Sequence, residues 1–327
     1  MGSELSLDNL SINCKKVSEE IQEFVRNTVF NVLKKRGVVI GISGGIDSSV
    51  TTAICVNALG KERVFGILMP EKESSEDTLE LSKVITDFFG IDNVMEDITP
   101  ILDSAGCYRR RNETIKKIIP EYTNEWTFKI VLPSLLDSDS YRVFSLVAKS
   151  PDGKIVKKRL NRTAYLEIVS ATNFKQRVRK MIEYYHADRL NYADGGTPNM
   201  LEYDQGFFVK NGDGATDIKP IAHLYKTQIY QLAEYYKIPE IIVNRPPTTD
   251  TYSMPQSQEE FYFSVPYDIM DFCLYCYNND ISPERASTAI SLDVDQIKRV
   301  FYDIKNKRRS SRYLHLSPQL VKPVFTN

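Results

Sequence analysis

The chain has 327 residues, with 42 Lys plus Arg against 43 Asp plus Glu and a formal net charge of -1. That balance offers no basic field for nucleic acid or an anionic membrane, and no run of about 18 apolar residues could span a bilayer. The five cysteines are odd in number and scattered, which suits a reducing compartment better than a disulfide framework.

The length allows one large domain or two of roughly 150 residues, and we expect one domain over 1–327 carrying an insertion. The N-terminus has no signal-like apolar segment, so the expected location is the cytoplasm. Val17, Ile21, Phe24, Val25, Val29, Val32 and Leu33 recur at helical spacing and predict an amphipathic helix over 16–35, its stripe suiting a core face or a dimer contact. A strand over 38–43, a helix over 47–59, a strand over 64–69, a helix over 75–89 and a short strand over 93–98 then alternate. Such alternation predicts an α/β fold, a doubly wound parallel sheet with helices on both faces.

After Pro100 the alternation stops. Residues 101–172 hold the basic helical text YRRRNETIKKII, the one tryptophan, Trp126, and YRVFSLVAKSPDGKIVKKRL, which reads as two strands about a Pro-Asp-Gly turn. An inserted helical and β-hairpin element on the rim of the sheet is expected. A helix over 173–186, a weak strand over 189–193, a Gly-rich loop over 195–214, a helix over 224–237 and a Pro/Thr loop over 244–257 follow, with 273–327 a helical C-terminal tail. Cys273 and Cys276 form a CxxC inside the apolar helical text DIMDFCLYCY, with no second pair nearby, and are read as core rather than as a zinc or redox site.

The first strand runs into VVIGISGGIDSSV, residues 38–50. Beyond the carboxyl end of a parallel strand, a helix N-terminus offers unpaired N–H groups to an anion. Gly41, Gly44 and Gly45 let the backbone approach it, and the hydroxyls of Ser43, Ser48 and Ser49 can donate to phosphate oxygens. Asp47 would repel a bare phosphate but would hold Mg²⁺ bridging to a polyphosphate. A Walker loop is excluded, because Asp47 and Ser48 stand where Gly-Lys is required.

The stretch resembles the SGGxDS loop of the ATP pyrophosphatases, which share the adenine nucleotide alpha hydrolase-like fold, adenylate an oxygen of their substrate and expel pyrophosphate. ILMPEKESSED (67–77), NFKQRVRKMIEYY (173–185), GTPNMLEYDQGFFVKNGDGATDIKPI (196–221), LYKTQIYQLAEYYKIPEII (224–242) and RPPTTD (245–250) follow in order. Together they resemble the ammonia-adding NAD synthetases, over about 1–100 and 173–272. The resemblance implies ATP-dependent amidation of deamido-NAD through an acyl-adenylate, with ATP and Mg²⁺ required. It implies that Asp47 and Glu202 hold the metal, that Thr197, Lys226 and Thr248 contact ATP, and that Arg177, Lys210 and Asp217 face deamido-NAD. Asp47 and Lys226 would carry the chemistry. A homodimer is implied, and with no glutaminase text the nitrogen would come from free ammonia or a separate glutaminase.

The chain departs from that pattern at several edges. RLNYADGG is less apolar than the usual strand before Gly-Thr, NMLE is followed by Tyr203, Asp204 and Gln205, and the flexible loop reads QSQEEFYFSVPY. The tail NKRRSSRYLHLSP lacks the usual His-Lys-Arg; Arg312 is the first candidate to replace it, with Arg308, Arg309 and His315 behind. A ligase amidating a different carboxylate, a tRNA-modifying relative and an ATP sensor without turnover remain open; pyrophosphate release and RNA dependence separate them.

Overall fold

The computed structural model describes residues 5–136, 143–248, 251–322 and 324; Tyr141, Arg142, Thr249 and Asp250, which belong to motifs quoted above, lie outside the described residues. The opening helix α1 (Cys14–Asn27) starts at Asn13, whose side chain accepts from the Lys16 N–H, and continues into a wider π turn over Thr28–Val32. Then come β1 (Val38–Gly41), α2 (Ile46–Leu59), β2 (Val64–Leu68), α3 (Glu76–Phe89) and β3 (Asp92–Met95), in the expected alternation. The stretch expected to be an insertion, and called the insertion below, holds α4 (Thr99–Ser104), α5 (Cys107–Ile118), β4 (Thr127–Val131), β5 (Ser145–Lys149), β6 (Ile155–Arg159) and α6 (Arg162–Thr172). Helix α7 (Phe174–Leu190) runs further than its apolar pattern indicated and stops where Asn191 turns left-handed. The weak strand therefore forms later than expected, as β7 (Ala193–Gly195). A short helix, α8 (Met200–Gln205), interrupts the Gly-rich loop. The chain then forms α9 (Lys226–Tyr235), α10 (Glu240–Val243), α11 (Tyr267–Asn278), α12 (Pro283–Ala286) and α13 (Val294–Ser311). The expected tail thus begins inside α11.

The main sheet is parallel, in the order β3-β2-β1-β7. Successive side chains of β1 face opposite sides, so Val38 and Ile40 join a core with α1, α2, α3 and α9 while Val39 joins one with α4 and α7. The α1 stripe belongs to the first of these: Ile21, Val25 and Val29 are buried within the chain, which makes it a core face. Full burial of each such side chain contributes about 1.5–3 kcal/mol. From β1 the chain steps outward to β2 and β3, then returns to the other flank of β1 as β7. The carboxyl ends of β1 and β7 therefore open a crevice at a topological switch point, where open α/β sheets bind ligands.

The insertion is a second, smaller layer. Strands β4-β5-β6 form an antiparallel sheet, with Phe128, Ile130, Leu146 and Ala148 packed on Ile115, Ala164 and Ile168 of α5 and α6. The expected hairpin is β5–β6, closed by Pro151-Asp152-Gly153 with Gly153 at φ 92°. Strand β4 was not expected, although its alternation buries Phe128 and Ile130. Its outer edge is covered by the Pro/Thr loop: Phe128 N–H donates to Ser253 Oγ (3.0 Å), Met254 N–H to Phe128 O (3.0 Å) and Gln256 Nε2 to Ile130 O (2.6 Å).

Helices α11, α12 and α13 close around a fourth core with Leu5, Leu10 and Leu201. Cys273 and Cys276 are buried there as free thiols, and burial pushes them up to about 12 and about 11. No helix among the described residues is long and apolar enough to cross a membrane.

Candidate active site

A cleft of ≈ 250 Å³ opens at the switch point. Its roof is the turn from β1 into α2. Gly44 sits at φ +67°, and a Cβ there would stand 2.7 Å from Leu81 Cβ, so the turn requires glycine. Ser48 Oγ and Ser49 Oγ donate back to Gly45 O (3.0 and 2.8 Å), and Ser43 Oγ lies 3.3 Å from Ser48 Oγ. Gly44 and Ser49 thus shape the turn, while Gly41, Ser43, Gly45, Asp47 and Ser48 line the cleft. The N–H groups of Ile46, Asp47 and Ser48 have no acceptor among the described residues, and no side chain caps α2. They form an anion site at the positive end of a 14-residue helix.

Opposite this turn stand the residues of three separate segments. Lys226 opens α9, whose first N–H groups are already taken by the buried Asp271 (Lys226 N at 3.2 Å, Thr227 N at 2.7 Å). The Lys226 side chain therefore reaches the cleft alone and pairs with Asp47 Oδ2. Asp47 Oδ1 accepts from Asn199 Nδ2 at 3.1 Å. Glu202 takes Asn199 N–H at 3.1 Å on one oxygen and Gln258 Nε2 at 2.9 Å on the other. Burial, and then the charge of Asp47, push the Glu202 carboxyl above its ordinary range. Burial works against the charge of Lys226, but Asp47 and Glu202 outweigh it and hold the ammonium charged.

Two carboxylates, the charge of Asp47 acting on Glu202, backed by one lysine and roofed by bare N–H groups, fit a divalent cation held beside a polyphosphate. No cluster of three or more acidic, His or Cys side chains that could cage a metal exists among the described residues. Thr197 and Thr248 also line the cleft, the latter in an antiparallel bridge with Ser257.

The other substrate-side candidates lie apart from this cleft. Arg177 Nε donates to Lys210 O (3.3 Å), and Lys210 Nζ holds the tail through Tyr313 O (2.7 Å) and Leu316 O (2.9 Å). Arg312 is in that tail, exposed, with no hydrogen bond or ion pair among the described residues. Asp217 accepts from Asp194 N (2.8 Å) and Tyr184 OH (3.3 Å). Arg308 is spent on Asp204, with Nη2 at 2.6 Å from Oδ1 and Nε at 2.9 Å from Oδ2, and on Asn278 at 2.6 Å. Two departures from the family pattern, in the tail and after NMLE, therefore answer one another.

The sequence reading missed several groups. Asn199 and Gln258 stand inside quoted motifs; the Asn-x-x-Glu spacing of a capping box was the available signal for the first. Lys175, 2% exposed, binds Glu71 (2.7 Å), Glu73 (2.9 Å) and Thr251 O (3.0 Å). Arg111 of the insertion grips Glu73 with two bonds of 2.7 Å, and Tyr108 donates to Glu71 at 2.7 Å. This buried network ties the insertion to the segment after β2 and to the Pro/Thr loop that carries Thr248.

The family model described as NAD synthase matches residues 17–120 and 146–313, leaving 121–145 unmatched inside the insertion. An NH(3)-dependent NAD(+) synthetase of Rhizobium meliloti is 54% identical over 319 residues, 98% of this chain and 95% of that protein. One from Thermotoga neapolitana is 34% identical over 299 residues, 90% of this chain and 94% of that protein. Among solved structures, the NH3-dependent NAD synthetase of Campylobacter jejuni, in complex with nitrate ion, aligns with a TM-score of 0.61 at 23% identity, over 95% of this chain and 100% of that one. The NMN synthetase of Francisella tularensis aligns with a TM-score of 0.65 at 19% identity, over 96% and 100%. At those identities the two structures speak for the fold alone.

Proposed function

The chain belongs to the NAD synthase family, and from that premise we infer that it is a ligase amidating deamido-NAD to NAD, with ammonia as nitrogen donor and ATP converted to AMP and pyrophosphate. The observation that carries this reading is the convergence of the bare α2 N-terminus, Asp47, Glu202 and Lys226 on one cleft. Asp47 and Glu202 are the residues that would hold Mg²⁺, which when bound offsets triphosphate charge and organises it for displacement. The N–H groups of Ile46, Asp47 and Ser48 receive phosphate oxygens, and Lys226 meets the charge that develops as pyrophosphate departs. The pyridine carboxylate attacks the α-phosphorus to give an acyl-adenylate; ammonia then displaces AMP. This first step needs positioning and charge stabilisation rather than a proton acceptor.

Arg177, Lys210, Asp217 and Arg312 make up the deamido-NAD side of this reading, supported by the continuous surface that Arg177, Lys210 and the tail form. The reading includes a cytoplasmic homodimer; the exposed Phe24 and Val32 on the outer side of the first helical stretch are apolar surface available to it. The test is pyrophosphate release with Mg²⁺-ATP and ammonium, with and without deamido-NAD, reading NAD in the same sample. Equal yields of NAD and pyrophosphate are expected; no NAD, with ATP still bound, would mean that another carboxylate is amidated.

A further inference from the structure

At the floor of the cleft lie three charged side chains that the adenylation step does not use. Lys180 Nζ stands 2.5 Å from Glu183 Oε2 and 2.6 Å from Asp194 Oδ2. Asp194, in β7, has no exposure at all, and its Oδ1 has no hydrogen-bond donor among the described residues. With both carboxyl groups ionised around the single ammonium, the three side chains carry one net negative charge inside the protein, which one added proton would cancel. Burial, and then Glu183, drive Asp194 above the ordinary carboxylate range although Lys180 opposes them. Glu183 and Lys180 face the cleft and Asp194 lies behind them. The backbone makes room for this: a Cβ on Gly41 would stand 2.7 Å from Glu183 Oε1. A pair able to take up one proton is thus presented where β1 and β7 end, across from the anion site.

Other charges face the same pair. Asp213, pushed up to about 6 by burial, lines the cleft near Lys180 and Glu183. Lys219 feels the charge of Asp194 from the segment after it, Asp217 accepts from Asp194 N–H and from Tyr184 OH, and Arg179 lines the cleft on the α7 side.

We propose that Glu183, backed by Asp194 and Lys180, is the proton acceptor of the second half-reaction, taking the proton that ammonium must lose before its nitrogen can attack. One N–H bond of ammonium breaks and its proton passes to the Glu183–Asp194 pair, which frees the nitrogen lone pair. That lone pair forms the C–N bond at the acyl carbon; the C–O bond to AMP breaks, its electrons staying on the AMP phosphate. A second N–H proton leaves the adduct on that phosphate, and the amide remains. The inference rests on the amidation reading above.

The test compares two nucleophiles in the full-length protein. Hydroxylamine is largely free base at neutral pH and attacks the same acyl-adenylate, giving a hydroxamate, without first being deprotonated. With Glu183→Gln, NAD formation from ammonium is expected to fall on the order of 100-fold, the scale of general-base catalysis. Hydroxamate formation, and exchange of labelled pyrophosphate into ATP with deamido-NAD present, should stay within about threefold of wild type, which also shows the variant is folded. Asp194→Asn should move the same ratio in the same direction by about tenfold. Equal loss with both nucleophiles, or no loss with either, overturns the proposal. Absence of exchange in the wild-type protein would instead overturn the amidation reading and take this inference with it, so the two failures are distinguishable.

Discussion

The turn at residues 41–49 and the inserted layer at 101–172 both serve the nucleotide cleft, by opposite means. The turn presents its own backbone: a glycine at φ +67° and three N–H groups at the head of α2, with two serine hydroxyls folded back to hold the curve. No described residue of the insertion lines the cleft, and the segment works through a brace. Arg111 and Tyr108 reach across to Glu73 and Glu71, Lys175 joins those acids to Thr251 O, and β4 pairs with residues 253–256. The phosphate-facing part of a site can therefore come from one short segment whose chemistry is local, and be kept in place by another whose chemistry is entirely long-range. Loss of the first should stop turnover; loss of the second should loosen the fold and the grip on ATP.

The largest effect is expected at the turn. Asp47→Ala should lower pyrophosphate release by more than about 10³-fold, since it removes a carboxylate from the polyphosphate site and leaves Lys226 unpaired. A variant that still turns over would show that this turn has been misread. Next comes the brace. Lys175→Met leaves Glu71 and Glu73 buried without their shared cation, a loss of about 3–5 kcal/mol. Denaturant unfolding should show that loss, together with a raised KM for ATP and an unchanged KM for ammonium; equal shifts in both constants would deny any special link to the nucleotide.

The same network has an acid signature. Burial opposes the charge of Glu73, but the bonds from Arg111 and the charges of Lys175 and Arg111 bring its pKa from 4.5 down to about 2. A depressed carboxyl lends stability that is complete above its unfolded pKa and is lost as pH falls through the folded one. Stability should therefore decline between about pH 4.5 and pH 2, and Glu73→Gln should flatten that decline. An unchanged slope in the variant would place the acid sensitivity elsewhere. Smaller again is Gly44→Ala, where the left-handed backbone and the Leu81 contact should cost about 1–2 kcal/mol and weaken ATP binding.

The same division explains what the sequence disclosed. Glu202, Lys226, Thr197 and Thr248, which line the same cleft, came from the family resemblance alone, whereas the α/β alternation and the loop with Asp47 could be read because strand period, helix period and motif order are local properties. The brace could not. Nothing within YRRRNETIKKII distinguishes Arg111, 1% exposed and bonded to Glu73, from Arg109, which faces solvent beside Glu113. Strand β4 alternates as a strand should, yet its five residues give that period too little length to be distinctive. The acid of RLNYADGG, Asp194, was visible as a departure; its partner, Lys180 on the neighbouring helix, required the fold.

The smallest effect sits at the far end of the insertion and asks where the brace stops. Gly153 closes the β5–β6 hairpin at φ +92°, and a Cβ there meets nothing within 4 Å. Gly153→Ala therefore costs only backbone strain, about 1 kcal/mol, with no clash added. The hairpin tip is separated from Arg111 and Lys175 by β5, β4 and the apolar layer of Phe128, Ile130 and Leu146, which is packed well enough to absorb a local change. Denaturant unfolding should register the strain while KM for ATP and the rate of NAD formation stay at wild-type values. Should KM for ATP rise as it does in Lys175→Met, the whole layer, and not only its ion pairs, positions the Pro/Thr loop.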